Sequence, residues 1–150
     1  MNYFASPHTW IVVLATLIAV SLCVAVHFKL LSVSRRYLTL ISRRRRRVLL
    51  FIIAVLVAHT IEIWIFGIGY YASVVWLGPS SLHGLESASF PDYVYYSAMV
   101  YTTVGFGDIV PVGAIRFMTG VEGVTGLVMI TWSASYTFIE MQRDWPQDRS

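Results

Sequence analysis

Apolar and polar positions divide the chain into long uncharged runs separated by short polar breaks. The first run, about residues 10–26, is followed by His27 and Lys29 and predicts a helix ending near Leu31. Over residues 32–47 the pattern changes. Leu30, Val33, Tyr37, Leu38 and Ile41 recur at i, i+3, i+7, i+8 and i+11, a stripe flanked by Arg35 and Arg36. This predicts either a helix lying at the headgroups or a short solvated loop. Residues 48–71 form a second apolar run of about 36 Å at helical rise, enough to cross a bilayer with tilt. Residues 72–89 read as a loop with a turn at Gly78-Pro79-Ser80-Ser81. Ser89-Phe90-Pro91-Asp92 then reads as a helix start: Ser89 caps, Pro91 suits the first turn, and Asp92 completes a capping box. The helix that follows, about 91–102, is too short to cross. Residues 112–141 form a last run of about 45 Å, which demands strong tilt or extension beyond the bilayer. Residues 142–150 are a short polar tail.

Composition turns this pattern into a class. The chain has 150 residues, 57% of them hydrophobic and 13% charged, with mean hydropathy +0.66. The expected fold is an all-α membrane protein with three transmembrane helices and one short re-entrant helix and loop. The single Cys23 excludes an intrachain disulfide. The run at 10–26 lacks the basic start and small-residue cleavage site of a secretory signal, so it reads as a retained helix.

Charge placement says more than the net +3. Eight of the eleven Lys and Arg residues fall between Lys29 and Arg47, and none lies between Val48 and Ile115. A basic block between two membrane segments marks a cytoplasmic loop. The N-terminus is then extracytoplasmic, and loop 32–47 and the C-terminus are cytoplasmic. Arg43, Arg44, Arg45, Arg46 and Arg47 suit anionic lipid; nucleic acid is not expected. Five consecutive arginines point all around a helix, unlike the every-third spacing of a voltage sensor.

Between the short helix and the last run lies Thr102-Thr103-Val104-Gly105-Phe106-Gly107-Asp108. Non-helical backbone at membrane depth is tolerated only when protein buries it or it lines water. A re-entrant loop of free carbonyls suits replacement of a cation's hydration shell. Gly105 and Gly107 permit the positive φ that turns successive carbonyls to one axis.

Thr103-Val104-Gly105-Phe106-Gly107-Asp108 resembles the selectivity-filter signature of the potassium channel superfamily, usually written TVGYGD, with Phe106 where Tyr is commoner. The resemblance covers about residues 48–140. It implies a pore domain over 48–141, preceded by an additional helix and basic linker over 1–47. It implies K+ held at Thr103, Val104, Gly105 and Phe106, with Gly107 completing the filter, and filter support from Tyr95, Tyr96 and Asp108. It also implies a homotetramer, because one chain supplies one filter loop. On the last helix, Gly126, Leu127, Ile130, Ala134 and Phe138 are assigned to the inner cavity and gate, with Gly126 nearest the place where related inner helices bend. Gly120 and Gly123 read as packing positions. No cofactor is implied beyond the permeating ion.

Glu62 and Glu122 fall inside apolar runs, where ionisable residues are costly and face protein or water. Both lie about 15 Å deep by helical rise. They are expected to accept hydrogen bonds behind the filter, to sense pH together with His59, or to pair with Arg116. Met99 stands where some relatives carry a carboxylate, so Asp108 needs another partner: Tyr95, Tyr96 or Arg116. His8, His27, His59 and His83 fall at different expected depths and suggest no metal or catalytic constellation. The expected function is passive, potassium-selective conduction by a non-enzyme. The alternatives are a weakly selective cation channel and a non-conducting regulatory subunit.

Overall fold

The computed structural model describes residues 7–38, 40–41, 43–78, 81–85 and 89–144. Four helices account for most of them: α1 (Pro7–Leu38), α2 (Arg44–Leu77), α3 (Phe90–Tyr101) and α4 (Ile115–Asp144). Two-residue strands β1 (Leu82–His83) and β2 (Val110–Pro111) pair antiparallel, with Leu82 opposite Pro111.

α1 continues seven residues past the expected end at Leu31, because nothing between Lys29 and Leu38 breaks a helix. The stripe expected to form a separate surface helix is therefore divided. Leu31 and Leu38 are buried on α1 against Phe51 of α2, with Ile41 packed alongside. Val33 and Tyr37 are exposed. A tight turn, with Leu40 N–H donating to the Tyr37 carbonyl at 3.1 Å and Ile41 N–H to the Leu38 carbonyl at 3.1 Å, leads into α2. Neither the surface helix nor a 16-residue loop is present.

α2 begins at Arg44 rather than Val48 and runs to Leu77 rather than Tyr71. It stops at Gly78 (φ 93), whose N–H donates to the Val74 carbonyl at 2.8 Å. Pro79 and Ser80 of the expected turn lie outside the described residues. α4 starts three residues later than expected, and the expected tail continues as helix to Asp144. Residues 145–150 lie outside the described residues.

Among the described residues two helices are long and apolar enough to cross a membrane, over Thr9–Leu38 and Arg45–Leu77. Their outward faces carry Leu14, Leu17, Ile18, Leu49, Ile53, Leu56 and Trp64, all exposed, which suits lipid as the surrounding solvent. α4 is 30 residues long but more polar, carrying Thr119, Glu122, Thr125, Thr131, Ser133, Ser135 and Thr137. The main core joins Val12, Ala19 and Cys23 of α1, Phe66 and Tyr70 of α2, Tyr93 and Tyr96 of α3, and Ile115 and Met118 of α4. α3 thus sits in a cradle formed by the long helices.

Candidate functional site

α3 starts as its sequence dictates. Ser89 and Asp92 form the reciprocal capping box, with Ser89 N–H donating to Asp92 Oδ2 at 2.7 Å. Its 12 residues give about 18 Å, too little to cross. At its far end, Thr102 N–H donates to the Ala98 carbonyl, Thr103 N–H to Val100, and Gly105 N–H to Met99 at 3.1 Å. These bonds hang the next segment from the helix terminus. φ is +60 at Thr103, +53 at Gly105 and +80 at Gly107. The glycines adopt this backbone readily. Thr103 is the β-branched exception, a left-handed residue that composition does not signal. Every residue from Thr102 to Asp108 is exposed in the protomer.

The segment is held at its Asp108 end. Tyr95 donates its hydroxyl to Asp108 Oδ2 at 2.8 Å, which settles the partner of Asp108 among the three candidates. That bond, with a smaller contribution from burial, raises the Tyr95 phenol above its ordinary value of 10.0 and keeps it a donor. Tyr96 instead reaches Thr119 of α4 at 2.9 Å and packs edge-on to Tyr70. A side chain at Gly84 (φ 95) would collide with the Asp108 carbonyl oxygen, so the outer loop closes tightly over this corner.

Glu122 is fully buried and turned away from the exposed face of α4. Its partners are the hydroxyls of Tyr70 on α2 and Ser97 on α3, the latter at 2.5 Å. Ser97 Oγ also lies 2.8 Å from the Ile63 carbonyl. Glu122 thus joins three helices, α2, α3 and α4. Pairing with Arg116 does not occur: Arg116 is exposed, and both carboxylates are engaged elsewhere.

Glu62 is fully buried as well, in company the sequence did not announce. His27 Nδ1 of α1 lies 2.8 Å from Glu62 Oε1, and His59 Nδ1 lies 3.0 Å from Oε2. Tyr101, the last residue of α3, donates its hydroxyl to Oε2 and also lies 2.9 Å from His59 Nδ1. Ser133 of α4 hydrogen-bonds His27 Nε2 at 3.2 Å. Two histidines expected at different depths therefore share one carboxylate. The reason is the packing of α1 on α2, which buries one face of α1 through Cys23 and His27 against Glu62.

Leu127, Ile130, Ala134 and Phe138 share an exposed face of α4. Gly126 does not belong to it. It is buried, and a Cβ there would collide with the Tyr101 carbonyl oxygen, so packing against α3 accounts for this glycine. Gly120 has open space around it, and Gly123 has only the Val100 carbonyl at 3.8 Å. The packing roles expected for these two fall to Gly126. Ile130, Ala134 and Phe138 line a groove of about 420 Å³ shared with Ile52, Val55 and His59 of α2.

With this geometry in place, comparison with known proteins is decisive at the level of family. The sequence profile of a family described as an ion channel matches residues 48–143. The chain belongs to that ion channel family. The uncharacterized membrane protein YdjJ of Bacillus subtilis (strain 168) is 34% identical over 93 residues, covering 54% of this chain and 25% of that protein. Protein LctB of Geobacillus stearothermophilus is 32% identical over 65 residues, covering 43% of this chain and 48% of that protein. The chain therefore spans a quarter to about half the length of these relatives. No solved structure matches. The profile begins at α2 and ends at the foot of α4, so α1 lies outside the part that identifies the family. Family and relatives together make this a membrane protein.

Proposed function

We propose that four copies of the chain close around one axis as a potassium-selective pore. Carbonyl oxygens of Thr103, Val104, Gly105 and Phe106 then replace the water around the permeating ion, with Gly107 completing the segment. The observation that carries this reading is the backbone of that segment. It is left-handed at Thr103, Gly105 and Gly107, exposed throughout, and suspended from the C-terminus of a helix too short to cross. The helix dipole favours a cation at that terminus. One chain offers one strip of carbonyls, and a coordination shell needs several, so an assembly follows from the chemistry.

In this reading α1, α2 and α4 each cross the bilayer, with the α1–α2 turn and the end of α4 in the cytoplasm. Leu127, Ile130, Ala134 and Phe138 face the inner cavity and its gate. α4 tolerates its hydroxyls because protein and water surround it rather than lipid.

The test is reversal potential and ion flux from purified protein in liposomes under opposed K+ and Na+ gradients. A potential that follows K+ supports the proposal. Equal permeabilities would reduce it to a weakly selective cation pore, and no flux at all would point to a regulatory subunit. Electron microscopy of the particles adds an independent criterion, because the absence of a fourfold axis ends the reading.

A further inference from the structure

We propose that His27, His59 and Glu62 form a binding site for a divalent transition ion of the zinc class. Ligand nitrogens of both imidazoles and a carboxylate oxygen of Glu62 all lie within 4.8 Å of one another. Two imidazoles with one carboxylate are a donor set that zinc accepts, with a fourth position left for water or a hydroxyl. Imidazole nitrogen selects ions of this class over the harder magnesium and calcium.

The spacing is close to what an ion needs. Ligand atoms about 2.1 Å from a tetrahedral ion are about 3.4 Å apart. The two nitrogen-to-oxygen separations here are 2.8 Å, from His27 Nδ1 to Glu62 Oε1, and 3.0 Å, from His59 Nδ1 to Glu62 Oε2. Admitting an ion asks each pair to open by about half an ångström, which side-chain torsions supply.

What separates this cluster from a chance meeting of polar groups is its outer layer. Ligating histidines use their second nitrogen as a donor, and ligating carboxylates are themselves hydrogen-bonded. His27 already has Ser133 Oγ at Nε2, and Glu62 already has the Tyr101 hydroxyl at Oε2. Binding through Nδ1 requires the neutral ring to carry its proton on Nε2, where Ser133 Oγ accepts it. An entry path is present too, because His59 lines the groove between α2 and α4 and keeps 15% of its side chain exposed. The Tyr101 hydroxyl, 2.9 Å from His59 Nδ1, is placed to hold a water at the fourth position. Because Tyr101 directly precedes the segment 102–108, an ion that fixes Glu62 and its bond to Tyr101 acts on the proposed pore from behind.

The experiment uses the full-length protein, purified without a polyhistidine tag, with Zn2+ as the probe and Co2+ as its spectroscopic substitute. Wild type is expected to retain about one Zn2+ per chain, since a site assembled from three converging ligands binds stoichiometrically. With Co2+ it should give the visible absorption of a four- or five-coordinate centre. His27→Gln and His59→Gln should each abolish that absorption without changing the elution volume of the assembly. Ser133→Ala removes only the outer partner of His27 and should weaken Zn2+ binding about 10- to 100-fold. This variant keeps the test decisive where loss of an imidazole prevents assembly. His83→Gln, far along the chain on β1, should bind as wild type does.

The proposal is overturned if wild type retains no more Zn2+ than the His27→Gln/His59→Gln double variant. It is equally overturned if the Co2+ absorption persists in that variant, or if Ser133→Ala binds with wild-type affinity. Metal content is read on the protein itself, so absence of ion flux would count against the pore and not against this site.

Discussion

Gly126 of α4 presses its α-carbon onto the carbonyl oxygen of Tyr101, the residue that ends the short helix. The obstacle to a side chain there is backbone, which cannot rotate aside. Gly126→Ala must therefore push α4 off α3, and overpacking of this kind costs about 1–3 kcal/mol. Gly120 meets nothing within the protomer, so Gly120→Ala should be neutral or gain about 0.5–1 kcal/mol from the glycine removed from a helix. Thermal unfolding followed by size-exclusion fluorescence reads both. Equal midpoints for Gly126→Ala and wild type would show that the two helices have slack. A destabilised Gly120→Ala would instead reveal a neighbouring subunit against that face.

The hydrogen count around Glu122 leads to a second prediction. Ser97 has one hydroxyl hydrogen, yet two oxygens lie within reach of it, the Ile63 carbonyl at 2.8 Å and Glu122 Oε1 at 2.5 Å. One hydrogen serves both either as a three-centre bond or with the Glu122 carboxyl supplying a hydrogen of its own. A glutamine reproduces that pattern, with an amide hydrogen toward Ser97 and its oxygen toward Tyr70. Glu122→Gln is therefore expected to change stability by no more than about 0.5 kcal/mol. Glu122→Leu leaves the buried Tyr70 hydroxyl without its acceptor, at about 1–3 kcal/mol, while Ser97 keeps the Ile63 carbonyl. A glutamine variant as damaged as the leucine one would show that the site needs an ionised carboxylate.

These two positions also mark where reading the sequence succeeds and where it stops. The capping box at Ser89 and Asp92, the short helix after it and the burial of Glu122 against hydroxyl donors were all legible. Each follows from local spacing or from the cost of an ionisable group in an apolar run. Gly126 was misassigned because one helical position is about 100° of rotation, and spacing alone does not say which neighbour a glycine meets. His27 was missed for a different reason. It stands beside Lys29 at what looked like the end of a run, and its partner Glu62 is 35 residues away. The packing of α1 on α2, with Cys23 at the Glu62 carbonyl and Leu31 and Leu38 on Phe51, brings the two together. The left-handed Thr103 was hidden as well, since its backbone is imposed by the bonds from Thr103 and Gly105 back to α3.

The turn between α1 and α2 carries a prediction about lipid. Tyr37 is 66% and Leu40 81% exposed there, next to the exposed Arg43, Arg45 and Arg46. Large apolar side chains beside exposed guanidinium groups fit the boundary of a membrane with anionic headgroups. Arg47 is used differently, since it donates to the Ile41 carbonyl at 2.9 Å and braces the turn. Neutralising Arg45 and Arg46 to Gln should lower affinity for phosphatidylglycerol over phosphatidylcholine by about 1 kcal/mol per residue. Added salt should shrink the difference. Native mass spectrometry of retained lipid measures it, and a preference that survives both substitutions would place the lipid contact elsewhere.

The bond from Tyr95 to Asp108 ties the short helix to the far end of the segment 102–108, and its pH behaviour has a definite sign. The Tyr95 phenol is raised above 10.0 by that bond, so the donor form is favoured in the folded protein. Its contribution is complete below pH 10 and disappears as pH climbs through the elevated value. Tyr95→Phe removes the donor at every pH and lowers stability only modestly, because the bond lies open to solvent. The stability difference between wild type and Tyr95→Phe should hence be flat from neutral pH up to 10 and narrow above it. If the pore reading holds, Tyr95→Phe also loosens the segment, with K+ flux declining faster during sustained activity while the assembly elutes unchanged. A gap between the two proteins that varies across neutral pH would mean that something other than this hydroxyl restrains Asp108.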